Sequence, residues 1–342
     1  MKEFEKILEQ INALNEPFSK FEFFEKDGQF QLIGKGGFSV VYDMASKKNP
    51  NEHYAMKIIE IGRDFEALKR SKETFKIQKI LSKNSRYIMK LFEEKTLLVR
   101  LDEDGNVKYV QEVKEKIAAE DGMILQFILM EKLEHIVIKN PYKKIKLVER
   151  LCNEKEVLKF AIHIGQAIKT AHENKVLHRD IKLENIFWDE RTECYKLGDF
   201  GIAKLIENGN ADTIVYTDGY GAPEIKKRLK DSYDATVDIY SFGISLYLLL
   251  NKLRFPGSEG YYVNRIQYEP LFIFPAPEKA SEVMTRMIRK MCSYYKEERY
   301  QTMAEVLETL KDIMDGKQDD QTERYVVLSD LPSEIYIQDT MN

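Results

Sequence analysis

At 342 residues the chain has room for one large domain or two moderate ones with a sizeable core. Hydrophobic residues make up 43% and charged residues 32%, a soluble, globular balance. The formal charge is −4, and the residues after Gly316 account for it, with six acids (Asp319, Asp320, Glu323, Asp330, Glu334, Asp339) against two bases (Lys317, Arg324). The remainder is near neutral, so no broad basic face is implied, which argues against nucleic acid as the main partner. The longest apolar run, Ile239 to Leu250, is broken by Ser241, Gly243 and Ser245 and is too short to span a bilayer. Met1 to Lys6 carries acids and no apolar signal region, so a cytoplasmic location is expected. The three cysteines, Cys152, Cys194 and Cys292, form no C-x-x-C pair, and neither a disulfide framework nor a zinc site is expected.

Along the chain, Phe4, Ile7, Leu8, Ile11 and Leu14 recur at helical spacing and predict an amphipathic helix over residues 2–14. Phe21 to Phe30 alternates around Asp27-Gly28 and predicts the first strands. Ile33-Gly34-Lys35-Gly36-Gly37-Phe38-Ser39-Val40-Val41 follows. Such a glycine cluster is either a hairpin turn or a loop whose N–H groups face a polyphosphate. A dinucleotide fold is disfavoured, because the residues after Ser39 read as strand. Tyr54 to Ile59 is an apolar strand containing Ala55 and Lys57; such a lysine is either solvated or a phosphate ligand. The helix beginning near Asp64 offers Glu73, with Glu66 as fallback, as a carboxylate to fix Lys57.

Residues 92–130 read as a surface insertion of roughly twenty residues with a hairpin turn at Asp102 to Asn106, tolerable because loop entropy grows slowly. Ile124 to Met130 is a buried strand leading into Met130-Glu131-Lys132-Leu133. Lys139, Lys143, Lys144, Lys146 and Arg150 form a basic run, read as a solvated face in preference to a docking patch. Asn153 with Glu156 makes a capping-box pattern at the head of a helix that runs towards His172.

Then comes His178-Arg179-Asp180-Ile181-Lys182-Leu183-Glu184-Asn185. It sets a carboxylate that could accept a hydroxyl proton beside a cation for a phosphoryl group in flight and an amide oxygen for a divalent ion. Phosphoryl transfer needs positioning and charge compensation of this kind. A strand–turn–strand, Ile186-Phe187-Trp188 to Tyr195-Lys196-Leu197, delivers Asp199-Phe200-Gly201, and Ala222-Pro223-Glu224 follows. Asp238 opens the apolar helix, and Arg299 stands in Glu298-Arg299-Tyr300.

The ordered set resembles the eukaryotic-like serine/threonine protein kinase family, over about residues 30 to 313. The glycine loop matches G-x-G-x-x-G-x-V at Gly34, Gly36 and Val41, with Ser39 at the third glycine. The ending from Cys292 to Thr302 looks most like bacterial members. Leu183 replaces the usual proline, and Tyr216 a frequent glycine.

The resemblance implies an α+β, bilobal fold: an N-terminal helix over 1–21, a small antiparallel lobe with one helix over 22–133, a mainly helical lobe over 134–315, and an acidic tail over 316–342. It implies ATP held by Ile33 to Val41, Ala55, Lys57, Glu73, Met130, Glu131, Leu133, Asn185, Phe187 and Asp199. Asn185 and Asp199 would hold Mg²⁺, or Mn²⁺, with Asp180 as base and Lys182 beside it. Thr213 and Tyr216 offer hydroxyls in the activation segment, either of which could be phosphorylated with Arg179 receiving the charge, and Thr217 stands where the family carries a threonine contacting Asp180 and Lys182. Glu224 takes Arg299 as its buried cation.

The expected activity is transfer of the γ-phosphoryl group of ATP to Ser or Thr hydroxyls of a protein, since Lys182 stands two residues after Asp180. A catalytically silent kinase-shaped binding module is the alternative; it predicts loss of Lys57, Asp180, Asn185 or Asp199, and all four are present. A small-molecule phosphotransferase is disfavoured by the Ala-Pro-Glu segment and Thr217. A partner for the tail, through Tyr325 to Leu328 or Ile335-Tyr336-Ile337, is a further expectation.

Overall fold

A computed structural model describes residues 2–14, 18–36, 39–61, 65–113, 122–139, 145–147, 151, 153–200, 204–205, 219–226, 234–256 and 275–317. Two cores organise the described chain, one under a curled antiparallel sheet and one among helices. The sheet runs in the order β1 (Phe21–Phe23), β5 (Ser39–Ser46), β6 (His53–Glu60), β9 (Met123–Glu131), β7 (Leu91–Leu101), β8 (Val107–Glu112), with β4 (Leu32–Lys35) also on β5. Short β2 (Glu25–Lys26) and β3 (Gln29–Phe30) close on Asp27 and Gly28, both at positive φ, as the Asp-Gly turn predicts.

Alternation along the strands sorts two faces. Tyr42, Met44, Met56, Ile58, Phe127, Leu129 and Leu97 form one, and α1 (Lys2–Leu14) lays Ile7, Leu8 and Ile11 on it. The predicted amphipathic helix is therefore part of the sheet lobe's core. On the other face, Val41, Lys57 and Ile128 stand in one register, and Asp43, Ala55 and Met130 in the next. Helix α2 (Phe65–Asn84) packs on this side through Phe75 against Leu91 and Ile128.

The segment expected to be a surface insertion is corrected here. Residues 91–112 are mostly strand: β7 pairs with β9 over most of its length and with β8 beyond, so the additional residues widen the sheet. The apolar alternation of Leu97, Val99, Leu125 and Phe127 drives this, because each buries its side chain only within a ladder. The turn itself stands where expected, with Asp102 accepting from the Asp104 and Asn106 N–H groups.

Short β10 (Glu134–His135), β11 (Val137–Lys139) and β12 (Ile145–Leu147) lead to α3 (Glu154–Glu173). Asn153 caps α3 by accepting from the Glu156 N–H at 2.9 Å, whereas the Glu156 carboxylate turns away to the Tyr195 hydroxyl. Small strands β13 (Val176–Leu177), β14 (Ile186–Asp189), β15 (Cys194–Leu197) and β16 (Lys204–Leu205) frame the loops between α3 and α4 (Pro223–Lys226). Helix α5 (Thr236–Leu250) is apolar all round and buried throughout, as such a helix must be. Helices α6 (Glu282–Met291) and α7 (Met303–Met314) complete the helical core, each capped by a hydroxyl, Ser281 and Thr302. Among the described residues no helix is long and apolar enough to cross a membrane.

Candidate active site

The site begins at a buried carboxylate. Asp238, in the first turn of α5, is fully buried, and its two oxygens accept from the His178 N–H at 2.8 Å and the Arg179 N–H at 2.7 Å. His172, near the end of α3, is 2.9 Å from the same carboxylate. Burial pushes the Asp238 carboxyl up, but the bonds from His172 and the Arg179 N–H outweigh it and hold the group below its ordinary range. Arg179 sits at φ +64, a strained conformation for a non-glycine residue, and the grip of Asp238 on two successive N–H groups fixes it.

His178 is fully buried; its Nδ1 accepts from the Asp180 N–H and its Nε2 donates to the Gly198 carbonyl at 3.0 Å. One imidazole thus ties the Asp180 loop to the residue before Asp199. Asn185 adds a second tie, donating Nδ2 to the Asp180 backbone and carboxylate at 2.8 and 2.9 Å, while its backbone carbonyl accepts from the Gly198 N–H. Lys182 Nζ lies 2.6 Å from Asp180 Oδ2. Lys57 Nζ reaches Asp199 Oδ1 at 3.1 Å from the sheet lobe. Asp199, at φ +55, has its carboxyl held below the ordinary range, first by Lys57 and against some desolvation. Lys57 with Asp199, and Asp180 with Asn185 and Lys182, are therefore two polar groups, tied to each other through the backbone bond from the Gly198 N–H to the Asn185 carbonyl.

The residues expected to hold a nucleotide stand on the sheet. The Gly36 N–H donates to the Ser39 carbonyl at 2.7 Å, and a Cβ on Gly36 would lie 2.9 Å from Ser39 Oγ, so a larger residue there would have to turn that hydroxyl aside. Ile33, Gly34, Lys35, Ser39, Val40 and Val41 flank that turn; Gly37 and Phe38 lie outside the described residues. Ala55 is buried beside Met130, and Phe187 packs so closely under Gly198 that a Cβ there would meet its ring at 2.9 Å. Leu133 is half-buried just beyond β9.

Glu73 requires a correction. Lys57 takes Asp199 as its partner, whereas Glu73 is exposed on the outer face of α2. The buried face runs through Leu68, Phe75, Gln78 and Ser82, and Glu73 lies almost opposite Phe75 at 100° per residue. Glu66 is exposed as well. Choosing Glu73 by its distance from Ile77 and Ile80 failed because Ile80 is itself exposed.

Three polar residues escaped the sequence reading. Gln78 is buried, donates to the Met89 carbonyl at 3.1 Å and accepts from the Phe200 N–H at 3.4 Å, which keys α2 to the Asp199 segment. Lys196 is buried between Glu131 at 2.7 Å and Asp189 at 2.8 Å. Asp43 is buried and meets Lys132 at 2.7 Å. The signal in each case was a polar residue inside an apolar stretch. Consecutive Glu131 and Lys132 thus brace the connection between the two cores from opposite sides. Beyond the cleft, Arg299 grips Glu224 with two 2.8 Å bonds in a buried fork, its guanidinium lying over the Tyr240 ring. Thr213, Tyr216 and Thr217 lie outside the described residues.

Comparison with known proteins gives the same picture. The family profile described as Protein kinase domain matches residues 28–310. The Saccharomyces cerevisiae cell cycle serine/threonine-protein kinase CDC5/MSD2 is 37% identical over 150 residues, 42% of this chain and 21% of its own. The Caenorhabditis elegans serine/threonine-protein kinase zyg-8 is 29% identical over 264 residues, 74% of this chain and 28% of its own. The chain thus spans well under a third of the length of these relatives. The solved structure of the Cydia pomonella granulovirus kinase PK-1 is similar with a TM-score of 0.59 at 19% identity, covering 88% of this chain and 98% of that one, a likeness of fold alone. These relatives are eukaryotic and viral, and they carry nothing on the bacterial likeness of the Cys292 to Thr302 ending.

Proposed function

The chain belongs to the protein kinase family, and we propose that it is an ATP-dependent serine/threonine protein kinase acting on protein substrates in the cytoplasm. The observation that carries the proposal is the pairing of Lys57 with Asp199, set beside an Asp180 that Asn185 and Lys182 both hold and that the Gly198 N–H to Asn185 backbone bond ties to the Asp199 segment. Asp180 has the chemistry to take the proton of an attacking hydroxyl, and Asn185 holds that carboxylate in place through Nδ2. Lys182, touching the base, neutralises charge on the phosphoryl group as it moves. Lys57, held beside Asp199, would meet the α- and β-phosphates of a bound nucleotide.

Asn185 and Asp199 fit a divalent ion, Mg²⁺ first and Mn²⁺ as alternative. Asn185 spends Nδ2 on Asp180 and keeps its amide oxygen as a hard donor, and Asp199 is held ionised. Among the described residues no group of three or more His, Cys, Asp or Glu could bind an ion unaided, so phosphate oxygens would complete the shell. When bound, the ion would neutralise charge on the phosphates.

Phosphoacceptor analysis after incubation with γ-labelled ATP and a mixed protein substrate tests the reading. Label on Ser or Thr is expected, with incorporation lower by about 10²–10⁴ in the Asp180→Asn protein. Nucleotide binding without transfer to any hydroxyl would support the silent binding module instead.

A further inference from the structure

Helix α2 carries an outer stripe with no use in the site. Lys69, Glu73, Lys76, Ile80 and Lys83 recur at steps of three and four, so they line one face, and all five are exposed. Ile80, at 56%, is the most exposed of the large apolar side chains among the described residues. The lysines on the inner side are occupied, Lys72 on the Val113 carbonyl and Lys79 on the Phe92 carbonyl. Lys76 and Lys83 have no carboxylate partner among the described residues. The stripe's C-terminal part, after Glu73, is thus a cation, an isoleucine and a cation in succession, on a helix whose buried Gln78 touches the backbone of Phe200.

We propose that the acidic tail of this same chain docks there, with Glu334-Ile335-Tyr336-Ile337-Gln338-Asp339 lying along Lys76, Ile80 and Lys83. The order of chemistry matches: acid, apolar triplet and acid against base, isoleucine and base. Lys76 and Lys83 are about 10 Å apart along the helix axis. Glu334 and Asp339 are about 16 Å apart if extended, a difference that lysine side chains span.

Charge supports the pairing. Residues 317–342 hold six acids and two bases, and α2 holds six bases (Lys69, Arg70, Lys72, Lys76, Lys79, Lys83) and two acids (Glu66, Glu73). The reach is sufficient as well. Helix α7 and α2 both pack on α3, whose 20 residues run about 30 Å, and the 17 residues from Lys317 to Glu334 extend to about 56 Å. Docking would press on the outer side of the helix whose inner side holds Gln78, and so would bear on the Asp199 segment.

The test uses the full chain and does not depend on its catalytic activity. Acetylation rates of Lys76 and Lys83 are read by mass spectrometry against Lys20, in the wild type and in an E334K/D339K variant. A tail docked three-quarters of the time slows both lysines about fourfold in the wild type and not in the variant. Equal rates in the two proteins would overturn the proposal. Carbodiimide cross-linking of an equal mixture of ¹⁵N-labelled and unlabelled chains then identifies the source of the protection. Links from Lys76 or Lys83 to Glu334 or Asp339 within one isotope class are expected, and mixed-isotope links making up about half of the total, as random pairing of two copies gives, would assign the stripe to a second copy and sink the intramolecular docking.

Discussion

On the helical side of the site, Asp238 is fully buried and holds two backbone N–H groups and a histidine, so the Asp180 loop is fixed from beneath. On the sheet side, Lys57 reaches Asp199 through one ion pair whose side chains keep 23% and 44% of their exposure. One half of the catalytic set is therefore built into the core, and the other is placed by a pair that water can reach. A buried charge that loses its partners is costly, whereas an exposed pair contributes little to stability. Damage on the helical side should appear first as lost folding, and damage on the sheet side as lost chemistry.

Asp238→Ala breaks this contrast hardest. It removes the acceptor of two buried N–H groups, and a loss of about 3–5 kcal/mol is expected, read as a lowered midpoint in denaturant. Lys57→Met should leave that midpoint nearly unchanged while kcat/KM falls about 100-fold, since preorganised charge on the transferring group is typically worth that much. A midpoint shift as large as that of Asp238→Ala would erase the distinction between the two halves. On α2, Gln78→Leu should lower kcat about tenfold by freeing the Phe200 backbone, about one hydrogen bond's worth. Glu73→Ala should change kcat less than twofold; a loss like that of Lys57→Met would restore Glu73 as the lysine's partner.

A smaller effect is set by pH. Burial, aided by Lys159 and Arg86, lowers His163 to about 4 from 6.5, and its Nδ1 accepts from the Tyr195 N–H. The unfolded chain takes up this proton first, so the contribution of His163 is whole above pH about 6.5 and is lost as pH falls towards 4. His163→Gln should flatten the decline of the denaturation midpoint across that window; an unchanged slope would remove His163 as its cause.

What could be read from sequence divides along the same line. The Asp180 loop and Asp199 were legible because each is a short motif, and the Glu224–Arg299 fork through the family resemblance those motifs carry. The α2 register was not. Its sequence has apolar residues at Ile77 and Ile80 that suggest a core face, and only the pairing of β7 with β9 decides that Phe75 faces inward and Ile80 outward. The widened sheet escaped for a related reason: Leu91 to Leu101 looks expendable until its partner strands, contributed from further along the chain, are known.

The central claim is that Asp180 acts on the hydroxyl and not on the nucleotide. Nucleotide affinity and turnover measured together on Asp180→Asn test it most directly. Affinity within about twofold of the wild type is expected, with turnover lower by about 10²–10⁴. Undiminished turnover, or loss of nucleotide binding in a folded protein, would contradict it.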